Sequence, residues 1–195
     1  MPMNIPNSLT WARIVLIPLF LGVFYLPHDW LSPSEQNSFA TVAFVLAALT
    51  DWLDGYLARK LAQTSAFGAF LDPVADKLMV AAALIVLVEL GRIGAVVAFI
   101  IIGREITISA LREWMAKIGA SRSLAVSFIG KLKTTAQMVA IPLLLYHETL
   151  AGVNVQWLGS LLILVAAALT LWSMAYYLNI AWPVLKGIEK GNGKV

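Results

Sequence analysis

The chain has 195 residues, of which 60% are hydrophobic and only 13% are charged, with a net charge of +3. This composition is too apolar for a soluble globular domain of that length, so we predict an integral membrane protein. The absence of cysteine excludes disulfides and thiolate metal sites, and the basic residues are dispersed rather than massed in a patch, which argues against a nucleic-acid partner.

Apolar stretches of about 20 residues, long enough to cross a bilayer, follow one another along the chain. Before them, residues 1–8 form a short juxtamembrane segment that we expect in the headgroup layer. The predicted spans are residues 9–27, 38–60, 70–90, 94–114, 124–146 and 156–182. The first span has no small-residue cleavage site followed by a soluble domain, so we expect it to be retained. The expected fold is an all-α, polytopic membrane protein with six transmembrane helices in a single domain, residues 1–195.

The basic residues predict the orientation of these spans. With the N-terminus in the cytoplasm, Arg92 is the only one of the 14 basic residues to fall on the outer side. The opposite orientation would violate the positive-inside rule almost completely. We therefore expect both termini, and the loop between the second and third helices, on the cytoplasmic side. His28 and His147 fall in outer loops, where each is predicted to be a surface residue rather than a metal ligand.

Four aspartates interrupt the second and third apolar stretches. We call Asp51, Asp54, Asp72 and Asp76 the aspartate set; within each pair the spacing of three or four residues places both carboxylates on one helix face. A carboxylate inside the membrane costs on the order of 3 kcal/mol, so the set predicts a functional site. Clustered carboxylates need cations to stay ionised, and a set without histidine or cysteine suits Mg²⁺, Mn²⁺ or Ca²⁺ rather than zinc. Two such cations could stabilise the attacking and leaving oxygens of a phosphoryl transfer.

Small residues accompany the aspartates. Gly55 and Ala58 share the face of Asp51, where they leave space for a substrate, and Arg59 can meet a phosphate. Gly68 falls in the polar turn predicted between the two helices, before Asp72 and Pro73 open the third helix. Helix packing alone would explain the small residues, but it would not explain the carboxylates.

A second polar group lies on the fourth and fifth helices. We call Arg104, Arg112, Lys131 and Lys133 the basic set; together they could bind a small anionic substrate. The alternative is that they reflect the positive-inside rule and pair with Glu105 and Glu113. Arg13, one turn into the first span, is predicted either to reach lipid phosphate or to contact a substrate phosphate.

The aspartate set and its neighbours resemble a known signature. The pattern Asp51-x-x-Asp54-Gly55-x-x-Ala58-Arg59, eight residues, Gly68-x-x-x-Asp72-x-x-x-Asp76 matches every position of the motif of the CDP-alcohol phosphatidyltransferases. The segments IPNSLTWAR, FGAFLDPVADKLMV, GREITISALREW and IGKLKTTAQM are similar to the bacterial phosphatidylglycerophosphate synthases of that family. The resemblance implies phosphatidyl transfer from CDP-diacylglycerol to sn-glycerol 3-phosphate, with release of CMP, at the cytoplasmic side of a bacterial inner membrane.

The resemblance also implies roles for single residues. The aspartate set would bind two divalent cations, Mg²⁺ or Mn²⁺, and Asp76 would in addition be the general base. Gly55, Ala58, Arg59 and Gly68 would surround the CDP moiety of the lipid. The basic set would hold the phosphate of the acceptor.

Other functions remain open at this point. Within the family the acceptor could be inositol phosphate, serine or phosphatidylglycerol, and family-like homodimers are conceivable. A divalent-cation transporter would also need intramembrane aspartates, but the stretch ATVAFVLAALT before Asp51 is an apolar barrier without polar groups for a path.

Overall fold

A computed structural model describes residues 5–60, 66–118, 128–150 and 152–191. In this part of the chain there are six α-helices and one two-stranded antiparallel pair. A single 3-10 turn, Val23–Tyr25, follows the first helix. The elements are α1 Ile5–Gly22, α2 Pro33–Lys60, α3 Ala66–Glu89, α4 Ala95–Lys117, α5 Phe128–Tyr146, β1 Thr149–Leu150, β2 Val153–Asn154 and α6 Val155–Gly191.

The predicted number and order of helices agree with this part of the chain, whereas several ends differ. Helix α1 begins at Ile5, so the described end of the juxtamembrane segment is continuous with it. Helix α3 begins at Ala66, which places Gly68 inside the helix and Asp72 in its second turn; the prediction that Asp72 and Pro73 open this helix was wrong. These ends differ because backbone hydrogen bonding extends a helix beyond its apolar stretch. The rest of the predicted polar turn, residues 61–65, lies outside the described residues.

Two of the described helices are apolar enough over a sufficient length to cross a membrane, in the windows Ser8–Tyr25 and Val155–Pro183. Helices α2, α3 and α4 carry several charged residues, and these shorten their uninterrupted apolar stretches. Six transmembrane spans therefore remain a prediction, while the predominantly helical architecture is confirmed.

The helices share one buried apolar core. It includes Phe20 of α1, Phe44 of α2, Leu84 and Leu87 of α3, Ile101 of α4, Ile141 and Leu144 of α5 and Ile163 of α6. Helices α5 and α6, joined by the β1–β2 pair, approach closely at Gly159, where an added Cβ atom would lie 2.8 Å from Cγ of Leu144. Packing around this core holds the helices close enough for their polar residues to contact one another.

The outer surface of the bundle is also apolar. Every helix exposes large hydrophobic side chains, among them Leu19 of α1, Leu49 of α2, Ile85 of α3, Phe99 of α4, Val139 of α5 and Leu164 of α6. A soluble monomer rarely exposes so continuous an apolar surface. Together with the two spanning helices, this surface is characteristic of a membrane protein.

Arg92, in the turn between α3 and α4, connects this turn to two other helices, α2 and α5. Its Nη1 atom donates to the carbonyl oxygens of Leu144 and Leu145 at 2.9 and 2.6 Å, and its Nη2 donates to Oδ1 of Asn37 at 2.7 Å. The guanidinium thus satisfies carbonyls in the last turn of α5, where a cation also complements the helix dipole. His147 is half-buried beside it rather than fully exposed, and burial and the charge of Arg92 lower the pKa of His147.

Replacement of Arg92 by leucine should lower the free energy of unfolding by roughly 1–3 kcal/mol, because partly buried acceptors lose a charged donor. The melting temperature in detergent measures this effect. Lys117→Met is the matched control, since Lys117 forms an ion pair with Glu113 at 2.9 Å in which both side chains are about 70% exposed. Equal melting temperatures for Arg92→Leu and the control would show that these hydrogen bonds add no stability.

Candidate functional site

Helix α1 places a buried arginine next to the aspartate set. Nη1 of Arg13 donates to Oδ1 of Asp51 at 2.8 Å. The Arg13 side chain is 1% exposed, whereas that of Asp51 is 42% exposed. Arg13 therefore points into the bundle and contacts a site carboxylate, so the predicted contact with lipid phosphate was wrong.

The same face of α1 also contacts Asp72, one of the two aspartates on α3. The buried hydroxyl of Thr10 donates to Oδ1 of Asp72. Thr10 and Arg13 are three residues apart, which places them on one helix face, and each holds an aspartate of a different helix. The sequence analysis assigned no site role to Thr10, although its spacing from Arg13 inside IPNSLTWAR was a signal.

Asp76 lies beside this group. Asp76 and Arg13 line a cavity of about 10 Å³ with apolar residues of α2, α3 and α5. This is enough space for about one water molecule. The charges of Asp51, Arg13, Glu105 and Lys77 all act on Asp76. Asp76, on α3, is therefore within electrostatic reach of charged residues on α1, α2 and α4.

The donor chemistry of the aspartates fits a hard divalent cation. Asp51 and Asp72 each use Oδ1 for the hydrogen bond from α1, and in the described residues their Oδ2 atoms accept no hydrogen bond. Carboxylate oxygens are the ligands that Mg²⁺ and Mn²⁺ prefer. Among the side chains that the structure describes, no group of three or more metal-ligating residues is assembled. The side chain of Asp54, the fourth member, lies outside that part.

Three of the four residues expected around a CDP moiety are known here only by their backbone. Gly55, Ala58 and Arg59 belong to the last turns of α2. The side chains of Ala58 and Arg59 lie outside the described part of the structure. Gly68 is buried in the first turns of α3. Gly55 follows Asp51 by four residues on α2, which keeps both on one face of that helix.

Glu105 gathers two members of the basic set. Nζ of Lys133 on α5 and Nη1 of Arg104 on α4 both donate to Oε1 of Glu105, the latter at 3.2 Å. Lys133 is almost fully buried, and Glu105 is 28% exposed. The predicted ion pairs with Glu105 are thus present. The other glutamate, Glu113, pairs with Lys117 at 2.9 Å instead. The side chain of Lys131 lies outside the described residues.

Helix α6 adds two polar residues that the sequence prediction missed. Nη2 of Arg104 donates to Oγ of Ser173 at 2.9 Å, and Nη2 of Arg112 donates to the hydroxyl of Tyr177 at 3.2 Å. Residues 156–182 were predicted only as an apolar span, but Tyr177 within them is a completely buried residue with polar contacts. Thr170, Ser173 and Tyr177 recur at helical spacing in an otherwise apolar stretch, and this polar stripe could have identified them.

The acidic and basic groups meet between α3 and α4. Lys77 of α3 and Glu105 of α4 line a cavity of about 100 Å³ whose other walls are apolar. Lys77 follows Asp76 directly, and Glu105 binds Lys133 and Arg104. Lys77 and Glu105 therefore link Asp76 of the aspartate set to Arg104 and Lys133 of the basic set.

Comparison with known proteins gives a consistent result. The chain matches the sequence model described as CDP-alcohol phosphatidyltransferase over residues 3–172. A protein from Shigella flexneri serotype 5b (strain 8401) and one from Escherichia coli (strain K12) are each 52% identical over 183 residues, covering 93% of this chain and 96% of theirs. A protein from Yersinia enterocolitica is 50% identical over 184 residues, covering 93% of this chain and 97% of its own. All three are named CDP-diacylglycerol–glycerol-3-phosphate 3-phosphatidyltransferase.

Proposed function

Because the chain belongs to the CDP-alcohol phosphatidyltransferase family, we propose that it transfers the phosphatidyl group of CDP-diacylglycerol to sn-glycerol 3-phosphate. The observation that carries this proposal is the 52% identity to enzymes of that name over nearly their full length. The products are phosphatidylglycerophosphate and CMP, so the enzyme acts in phospholipid biosynthesis. The family assignment replaces the alternative of a cation transporter.

The chemical step replaces the phosphoanhydride bond of the lipid-bearing phosphorus with an ester bond. The 1-hydroxyl oxygen of glycerol 3-phosphate forms a bond to this phosphorus, and the bond between the phosphorus and the CMP oxygen breaks. Asp76 accepts the hydroxyl proton as general base. Its position on α3, where it lines a small cavity with Arg13 and is within electrostatic reach of Asp51 and Glu105, supports this role.

The aspartate set would hold two divalent cations, Mg²⁺ or Mn²⁺. When bound, such cations neutralise the charge that develops on the phosphate oxygens. The support in this chain is the oxygen-only donor set and the hydrogen bonds from α1, which orient Asp51 and Asp72. Gly55, Ala58, Arg59 and Gly68 would accommodate the CDP moiety next to these carboxylates.

The basic set would bind the phosphate of the acceptor. Lys133 and Arg104 are already oriented by Glu105, and Arg104 and Arg112 are oriented by α6. A phosphate dianion would compete with Glu105 for the same cations, because both present oxygen acceptors. An anionic acceptor such as glycerol 3-phosphate fits this cluster better than serine does.

The remaining sequence predictions concern the setting of the enzyme. We place residues 1–195 as one domain with six spans in a bacterial inner membrane, with the site and both termini towards the cytoplasm. The distribution of basic residues and the apolar outer surface support this placement. Homodimer formation stays a prediction from the family resemblance.

The reaction is tested by measuring CMP release from CDP-diacylglycerol by purified protein with Mg²⁺ or Mn²⁺. We expect release with glycerol 3-phosphate and much less with inositol phosphate, serine or phosphatidylglycerol. Efficient turnover of another acceptor would reassign the enzyme within the family. Lack of release with all four acceptors would contradict the proposed reaction.

Arg112→Ala and Lys131→Ala should each raise the KM for glycerol 3-phosphate by roughly 10- to 100-fold, as expected for the loss of a charged hydrogen bond of about 1.5–3 kcal/mol. The KM for CDP-diacylglycerol should change little, because the lipid is bound by α2 and α3. Steady-state kinetics with each substrate varied in turn measures both constants. Equal increases in both would refute the separation of the two binding regions.

A further inference from the structure

The buried ring of Tyr177 lies between the two arginines of α4. The Cζ atom of Arg104 is 5.7 Å from the ring centroid, and that of Arg112 is 5.3 Å from it. Both distances are within the range of a cation–π contact. The hydroxyl of the same residue accepts a hydrogen bond from Arg112. One side chain of α6 therefore contacts both guanidinium groups.

The two arginines need such a partner. Arg104 and Arg112 are eight residues apart on α4, so their Cα atoms are separated by about 12 Å along the helix axis. Their long side chains must converge to meet one phosphate, and two like charges that converge repel each other. An aromatic ring in contact with both offsets part of this repulsion.

Ser173 supports the same arrangement one turn earlier on α6. It is buried, and its Oγ accepts a hydrogen bond from Nη2 of Arg104 at 2.9 Å. The same hydroxyl donates to the carbonyl oxygen of Thr170. Each arginine thus has its own hydrogen-bond partner on α6, and both share the ring of Tyr177. Neighbouring Tyr176 is 50% exposed and contacts Tyr177 edge to face.

We propose that Tyr177 is a positioning residue for the acceptor phosphate, because it fixes the separation of the Arg104 and Arg112 guanidinium groups. This inference rests on the proposed function. The competing explanation is simple packing, since Tyr177 also contacts Ile108 and Met115 in a small apolar cluster. A packing residue would alter stability or both Michaelis constants together. A positioning residue alters the constant for the phosphate-bearing acceptor and acts through the arginines.

Tyr177→Phe removes only the hydroxyl and Tyr177→Leu removes the ring as well, so the two variants separate the contribution of the hydroxyl from that of the ring. Tyr176→Phe and Tyr176→Leu are the matched controls. Tyr177→Phe should raise the KM for glycerol 3-phosphate roughly 2- to 10-fold through loss of one hydrogen bond. Tyr177→Leu should raise it roughly 10-fold or more through loss of both ring contacts. The KM for CDP-diacylglycerol should stay within about twofold of the wild-type value. The Tyr176 variants should raise the KM for glycerol 3-phosphate less than the matching Tyr177 variants, because Tyr176 only contacts the edge of the Tyr177 ring.

A double-mutant cycle between Tyr177→Leu and Arg112→Ala provides the second readout. If Tyr177 acts through Arg112, the combined KM increase will be smaller than the product of the single increases. A fully multiplicative combination, or equal changes in the two Michaelis constants, would overturn the proposal. If Tyr177→Leu does not fold, Tyr177→Phe and Ser173→Ala, each in a cycle with its own arginine, decide in the same way.

Failure of this proposal is distinguishable from failure of the proposed function. Wild-type protein that does not use glycerol 3-phosphate contradicts the function, whatever the Tyr177 variants do. Calorimetric binding of inorganic phosphate then tests the positioning role by itself. Weaker phosphate binding in Tyr177→Leu than in Tyr176→Leu supports it, and equal binding overturns it.

Discussion

Replacing Asp76 with asparagine is expected to lower the turnover rate by roughly 10²- to 10⁴-fold, the usual contribution of a positioned general base. Asparagine keeps the size of the side chain but cannot accept the hydroxyl proton. CDP-diacylglycerol should still bind, because the other aspartates and the small residues of α2 are unchanged. Single-turnover CMP release and binding of the lipid nucleotide measure the two effects separately.

The control is Asp29→Asn, because Asp29 is exposed in the turn between α1 and α2, away from the site. It should leave the rate unchanged. A metal titration separates the two roles of Asp76, since recovery of the rate at high Mn²⁺ would mean that Asp76 serves only as a ligand. A substantial residual rate at ordinary metal concentration would exclude Asp76 as the base.

The parts of the fold that could be predicted from the sequence are those determined by local patterns. The apolar stretches gave the order of six helices in the described chain, and the spacing of the aspartates placed each pair on one face. The family, which the comparisons show, was predicted from a signature that lies within α2 and α3 and the segment between them. Helix ends were less accurate, and α6 extends to Gly191, nine residues beyond the predicted span.

Contacts between distant residues could not be predicted in this way. Thr10 bonds to Asp72 across 62 positions, and Arg112 bonds to Tyr177 across 65. No periodicity within one helix reveals which face of another helix it will meet. For this reason the contact of Arg13 with Asp51 and the contacts of Tyr177 with the arginines of α4 were not predicted. Arg13 and Tyr177 are both buried polar residues that orient the charged residues of the site.

The α1 contacts change the interpretation of the aspartate set. Its carboxylates had been considered as ligands that only cations stabilise. In the structure a guanidinium compensates Asp51 and a hydroxyl orients Asp72, so the acidic helices are partly stabilised by the protein itself. Helix α1 is thus a component of the site, and we expect changes in it to alter catalysis.

Arg13→Leu is therefore expected to lower kcat by about 10- to 100-fold, because a shift of about 1 Å in a site carboxylate costs up to that factor. Stability should fall by about 1.5 kcal/mol and not more, since Asp51 is 42% exposed and keeps part of its hydration. The metal concentration for half-maximal rate should not rise, because removing a positive charge next to Asp51 favours cation binding.

Arg13→Lys keeps the charge without the planar guanidinium, so it should restore stability more than it restores kcat. Kinetics at varied Mn²⁺, calorimetric Mn²⁺ binding and melting curves in detergent distinguish the contributions, with exposed Lys117→Met as control. A wild-type kcat in Arg13→Leu would show that α1 does not position Asp51. A large rise in the metal concentration for half-maximal rate would instead mean that losing the orientation of Asp51 weakens metal binding more than removing the Arg13 charge strengthens it. The two effects act on the same carboxylate in opposite directions.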